Sequence, residues 1–149
     1  MWCMVTGVST LKNNCATAED WQFRNQGKVC LRRSMNLKNW ESVNYLAESS
    51  GELGTMLECP NFFSLDGKWV LMYSPMGLQE RQVVYLTGDF DEQTGNFQWQ
   101  TMGSVDLGFD FYAPQHFRDE KGRDLIMAWV GSWPWMPWFR SNDATEKLG

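Results

Sequence analysis

The chain repeats itself. Cys59-Pro60-Asn61-Phe62-Phe63, a turn holding Gly67, and Trp69-Val70-Leu71-Met72-Tyr73-Ser74 form one copy. Ala113-Pro114-Gln115-His116-Phe117, a turn holding Gly122, and Leu125-Ile126-Met127-Ala128-Trp129-Val130 form the next. Pro114 follows Pro60 by 54 residues, and each is followed three places later by Phe. Trp2-Cys3-Met4-Val5-Thr6-Gly7 reads as the second half of a still earlier copy. A period of about 50 residues with several short strands per copy is the signature of a β-propeller, whose blades hold four strands each. On this reading the 149 residues carry two to three blades, too few to close a ring, and are expected to be a piece of a larger domain. The competing reading is an ordinary antiparallel sandwich with chance self-similarity.

The local pattern agrees with an all-β chain. Short β-branched and aromatic runs are separated by turn residues. Phe62–Leu65 and Lys68–Ser74 flank Asp66-Gly67, a dipeptide suited to a two-residue hairpin because both turn positions take positive φ. Gln82–Leu86 and Phe97–Gln100, joined through Thr94-Gly95-Asn96, predict a second hairpin. Phe111–Phe117 and Leu125–Val130, around Asp119–Asp124, predict a third. Only residues 41–57 allow a short helix, interrupted by Gly51 and Gly54.

Composition narrows the function classes. Hydrophobic residues make up 43% of the chain, which excludes extended disorder. No run approaches the ~18 apolar residues of a membrane-spanning helix. A net charge of -5 argues against a basic surface for nucleic acid. The expected partner is a small molecule, with no nucleic acid and no membrane; the oligomeric state is not legible. Nine tryptophans are available both for packing and for stacking on flat ligand faces. Cys3, Cys15, Cys30 and Cys59 show no zinc spacing and read as free thiols in a reducing environment. The first residues lack a signal-peptide pattern. Localisation stays open, with the cytoplasm slightly favoured. No metal, phosphate-loop or dinucleotide motif appears, so no cofactor is expected.

Glu58 is the leading chemical candidate. It stands in Met56-Leu57-Glu58-Cys59-Pro60, a strand-like segment with apolar neighbours, the setting in which a carboxyl can serve as a general acid. The plainer alternative is a solvated Glu at a strand end. Asp106 and Asp110 precede the corresponding strand of the next copy. Equivalent positions of a propeller converge on its axis, so Glu58 and Asp110 are expected to face one pocket; a turn or strand-end cap is the alternative for Asp110. Two carboxylates around a pocket are what glycoside hydrolysis needs. Trp129, Trp133, Trp135 and Trp138 cluster around Pro134 and Pro137, and serve either sugar stacking or packing between blades. His116 is the only histidine and has no nucleophile motif to serve, which argues against a hydrolytic triad. Arg32-Arg33 reads as a solvated strand end.

These residues together resemble glycoside hydrolase family 32, the invertases, sucrose-6-phosphate hydrolases, levanases and inulinases. Glu58-Cys59-Pro60, followed by Asn-Phe-Phe and a Leu-Asp-Gly-Lys hairpin, resembles the family's Glu-Cys-Pro motif. Asp106-x-Gly-x-Asp110-Phe111-Tyr112-Ala113-Pro114-Gln115 resembles its next signature, and Ala128-Trp129 with Trp133 the strand and loop after it. Gly27–Leu31, Ser34-x-x-Leu37-Lys38-Asn39-Trp40 and Leu46-Ala47-Glu48 fit the stretch leading into Glu-Cys-Pro.

The resemblance implies a five-bladed propeller followed by a β-sandwich, with the first blade and the sandwich outside residues 1–149. It implies a retaining two-carboxylate mechanism that releases terminal β-linked fructose from sucrose, sucrose-6-phosphate or fructans. Glu58 would be the general acid/base, and Cys59 its neighbour in the fructose pocket. Asp110, Asp106 and Tyr112 would lie near the sugar, with Trp129 as an aromatic wall. The family's nucleophile, an Asp in an Asn-Asp-Pro-type motif, has no counterpart here, nor has its Arg-Asp-Pro carboxylate; Phe23-Arg24-Asn25 carries Asn instead and falls after the opening strand. The 149 residues alone are therefore expected to be inactive. A non-catalytic carbohydrate-binding propeller or truncated pseudoenzyme is the alternative. A five-bladed glycosidase acting on arabinose or xylose fits less well, because Cys59 belongs to the fructan-type pattern.

Overall fold

A computed structural model describes residues 1–10, 26–78, 83–108 and 111–130. Its regular elements are nine strands: β1 (Trp2–Thr10), β2 (Gln26–Ser34), β3 (Glu41–Glu48), β4 (Met56–Leu65), β5 (Lys68–Met76), β6 (Val84–Asp91), β7 (Asn96–Ser104), β8 (Phe111–Arg118) and β9 (Asp124–Val130). They form three antiparallel sheets in chain order, β1-β2-β3, β4-β5-β6-β7 and β8-β9. Each sheet uses consecutive strands, as propeller blades do, whereas the two sheets of a Greek-key sandwich exchange strands.

Turn chemistry makes the hairpins. Asp66 and Gly67 adopt φ of 49° and 79° between the paired Leu65 and Lys68, which matches the right-handed twist of the flanking strands. Between β6 and β7, Asp91 Oδ1 accepts the Gln93 amide at 2.8 Å and Asp91 Oδ2 the Thr94 hydroxyl at 2.8 Å. Between β8 and β9, Asp119 Oδ1 accepts the amides of Lys121 and Arg123 at 3.0 and 2.8 Å. In both loops an aspartate side chain satisfies turn amides that no strand partner can reach.

Residues 41–57 are not helical. Residues 41–48 form β3, paired with β2, and a turn follows in which Ser49 Oγ accepts the amides of Gly51 and Leu53 at 3.0 and 3.1 Å. The apolar residues Leu46, Ala47 and Leu53 do face the core, but from a strand and a turn. Sheet pairing and buried area outweigh a weak helical period.

The core lies between the first two sheets. Val29, Leu31, Leu46 and Ala47 meet Leu57, Leu71, Tyr73, Val84 and Leu86 there, all buried. β1 crosses β4 so closely that a Cβ on Gly7 would stand 2.1 Å from the Leu57 carbonyl oxygen; only glycine allows that approach. Strand β1 packs on β4 as β5 packs on β8, so β1 is the counterpart of β5, and among the described residues the first sheet has no counterpart of β4.

The repeat extends to backbone detail. The β4–β5 register shifts between Glu58 and Asn61, and the β8–β9 register shifts between Tyr112 and Gln115. In each bulge the residue before proline has positive φ, Cys59 at 48° and Ala113 at 49°. One extra residue in the strand bends it locally and re-aims the side chain just before the bulge. Those side chains are Glu58 and Tyr112.

Candidate active site

Glu58 stands on β4 opposite Ser74 of β5, and Tyr112 on β8 opposite Trp129 of β9. Directly opposed residues of an antiparallel pair project to the same face. The bulges turn Glu58 and Tyr112 toward each other across the junction of two sheets, where the Tyr112 hydroxyl donates to Glu58 Oε2. Glu58 is half-buried and Tyr112 is buried. Burial, and then the hydrogen bond to Glu58, push the Tyr112 phenol well above its ordinary range. Tyr112 therefore stays protonated and acts as a permanent donor to the carboxylate.

Tyr112 occupies the position equivalent to Glu58, because the two bulges align Cys59 with Ala113. Asp110 lies outside the described residues, as do Trp133, Trp135, Trp138 and Phe23-Arg24-Asn25. Asp106 is exposed, and its Oδ2 accepts the Gly108 amide at 2.6 Å, a turn-capping contact.

Cys59 is a free, exposed residue. Partial desolvation of its thiol, and secondly the Glu58 carboxylate, raise it above its ordinary value. The thiol is thus a neutral neighbour of Glu58, since a thiolate beside a carboxylate is disfavoured. Trp129 is 48% exposed and shares the face of Tyr112, a placement suited to stacking on a flat ligand.

His116 has another task. Its ring stacks on Phe63 with centroids 3.6 Å apart, and its Nε2 lies 2.9 Å from Asp124 Oδ1. The contact ties β8 to β4 and to β9. A separate cleft of about 450 Å³, lined by Arg33, Asn36, Trp40 and Glu41 among others, lies at the β2–β3 hairpin and includes none of Glu58, Tyr112 or Trp129. Among the described residues no group of three or more His, Cys, Asp or Glu is placed to hold a metal ion.

Sequence reasoning missed two supporting residues. Asn61 Nδ2 donates to the carbonyls of Cys59 and Pro114 at 2.9 and 2.8 Å, and its Oδ1 accepts the His116 amide at 2.9 Å. Ser74, fully buried, accepts the Ala113 amide at 3.0 Å. Asn61 was visible as the residue after Cys59-Pro60. No sequence signal marks Ser74, whose role depends on which strand crosses it.

Comparison with known proteins completes the description. The family model described as "Glycosyl hydrolases family 32 N-terminal domain" matches residues 11–139. A sucrose-6-phosphate hydrolase of Zymomonas mobilis is 36% identical over 146 residues, covering 89% of this chain and 27% of the relative. The corresponding enzyme of Vibrio alginolyticus is 35% identical over 117 residues, covering 70% and 24%. Among solved structures, a β-fructofuranosidase of Bombyx mori superposes with a TM-score of 0.72 at 31% identity, covering 92% of this chain and 29% of that one. A mutant of that enzyme in complex with sucrose superposes with a TM-score of 0.71. The chain spans about a quarter of the length of the curated relatives it matches. Its three all-β sheets are part of a five-bladed propeller. The chain belongs to glycosyl hydrolases family 32.

Proposed function

We propose that these residues are the acid/base-bearing part of a β-fructofuranosidase that releases terminal β-linked fructose from sucrose, sucrose-6-phosphate or a fructan. The observation that carries the reading is the Tyr112–Glu58 hydrogen bond: a half-buried carboxylate held by a permanently protonated phenol. Family membership and the sucrose complex of the Bombyx mori relative support the sugar class.

In a retaining mechanism one carboxylate attacks the anomeric carbon while a second carboxyl, ~5–5.5 Å away, protonates the departing glycosidic oxygen. Glu58 takes the second role, giving its proton to the leaving group and then withdrawing one from the water that hydrolyses the fructosyl-enzyme. Tyr112 holds the Glu58 carboxyl in one orientation through both half-reactions. Cys59 and Trp129 border the sugar, with Asp110 and Asp106 on the same approach. The nucleophile is supplied by chain outside this segment, so the 149 residues alone turn over no sucrose.

The test is Glu58→Gln in the whole protein, assayed by fructose release from sucrose. A loss of about 10²- to 10⁴-fold, with azide restoring turnover of an activated fructoside, is the expected result. Unchanged hydrolysis removes Glu58 from the mechanism. Sucrose binding without turnover in the wild type favours a carbohydrate-binding propeller instead.

A further inference from the structure

Strands β4 and β8 belong to different sheets, so no backbone ladder sets their spacing. Yet the Glu58–Tyr112 contact depends on that spacing. Side chains supply the missing connection. Ser74 accepts the amide of Ala113, immediately after Tyr112, and Asn61 donates to the carbonyl of the next residue, Pro114. Asn61 also accepts the His116 amide, so the β8 bulge is held along its length by groups of the preceding copy. The same Asn61 Nδ2 binds the Cys59 carbonyl, which fixes the bulge beside Glu58. One amide side chain thus bonds both bulges.

We infer that Asn61, assisted by Ser74, is a positioning residue that locks the two bulges at the separation where the Tyr112 hydroxyl meets the Glu58 carboxylate. The catalytic consequence rests on the proposed acid/base role of Glu58; the geometric lock does not. Asn61 touches neither Glu58 nor Tyr112 through its own side chain in these bonds. It acts through the backbone on which both are mounted, and misplacement of a catalytic group by about 1 Å can cost up to 10²-fold in rate.

The experiment compares Asn61→Ala and Ser74→Ala with wild type in the whole protein, on sucrose and on β-D-fructofuranosyl fluoride. Sucrose needs its leaving oxygen protonated, whereas fluoride departs with far less help from an acid. A positioning defect lowers kcat on sucrose by about tenfold with KM within about twofold, and changes kcat/KM on the fluoride, which reports departure of the leaving group and not the later base-assisted step, by less than about twofold. Amide hydrogen exchange quickens at His116 in Asn61→Ala and at Ala113 in Ser74→Ala. Equal losses of kcat/KM on both substrates, or no loss, overturn the inference. If Asn61→Ala does not fold, Asn61→Ser and Ser74→Ala carry the same comparison. If wild type hydrolyses neither substrate, the fructoside reading falls and the lock is decided by the carbon-13 signal of the Tyr112 phenol. The lock stands if Asn61→Ala shifts that signal toward its position in Glu58→Gln, and is overturned if the signal stays at the wild-type position.

Discussion

Glu58 and Tyr112 are the same position of two successive repeats, and they bond to each other. The Tyr112 hydroxyl donates to Glu58 Oε2 across 54 residues of chain. A bulge with positive φ follows each of them, at Cys59 and at Ala113. The repeat therefore presents two re-aimed side chains at one junction, and the sequence places a carboxylate in one copy and a phenol in the other.

Tyr112→Phe isolates the hydroxyl. The ring remains to fill its buried place, while Glu58 loses a donor whose proton is never released at ordinary pH. Fructose release is expected to fall about tenfold in kcat, equivalent to about 1.4 kcal/mol of transition-state stabilisation, with KM little changed. Steady-state kinetics of the whole protein measure it.

Cys59 reports on Glu58 chemically. Its thiol is raised first by desolvation and second by the adjacent carboxylate, and the thiolate is the reactive form. Alkylation of Cys59 by iodoacetamide at pH 8 should be slow for an exposed cysteine. It should quicken severalfold in Glu58→Gln, which removes the charge but leaves the desolvation. Peptide mapping by mass spectrometry reads the rate at this residue alone, and an unchanged rate dismisses the electrostatic coupling.

Asp124 makes one contribution to acid stability. The Arg118 guanidinium first, then His116, hold its carboxyl below the ordinary value of 3.8. A carboxylate depressed in the folded state contributes stability that is fully present above the unfolded value and is lost as pH falls through the folded one. Asp124→Asn should therefore flatten the dependence of the thermal midpoint on pH below about 4. Thermal melts across that range test the assignment.

Gly67→Ala probes conformation rather than space. A Cβ at Gly67 meets nothing within 4 Å, yet its φ of 79° is costly for any residue with a side chain. Destabilisation of about 1 kcal/mol is expected from chemical denaturation. A neutral result would mean that the β4–β5 turn relaxes to another type.

The hairpins were legible because their signals are local. Asp66-Gly67, Asp91 with Gly95 and Asp119 with Gly122 each specify a turn from a few adjacent residues, and the strands on either side follow. Residues 41–57 were ambiguous for the opposite reason. The spacing of Leu46, Ala47 and Leu53 suits more than one conformation, and pairing with β2, far outside that window, settles it as a strand. At the site, the motif pointed to Glu58, and the 54-residue period sets Tyr112 at the matching place of the next copy. That the two side chains meet depends on the paired bulges and on how one sheet packs against the next.

The sequence by itself determined the all-β character, the hairpin turns, the repeat and the residue on which the chemistry centres. Local dihedral preferences, alternation of apolar residues and a fixed period are properties of the linear chain. The tertiary structure alone decided that Glu58 meets Tyr112, and that Asn61 and Ser74 bridge two sheets that share no ladder. Those contacts join residues 39 to 54 positions apart. Their geometry depends on where the bulges fall and how one sheet packs on the next, which no short window of sequence encodes.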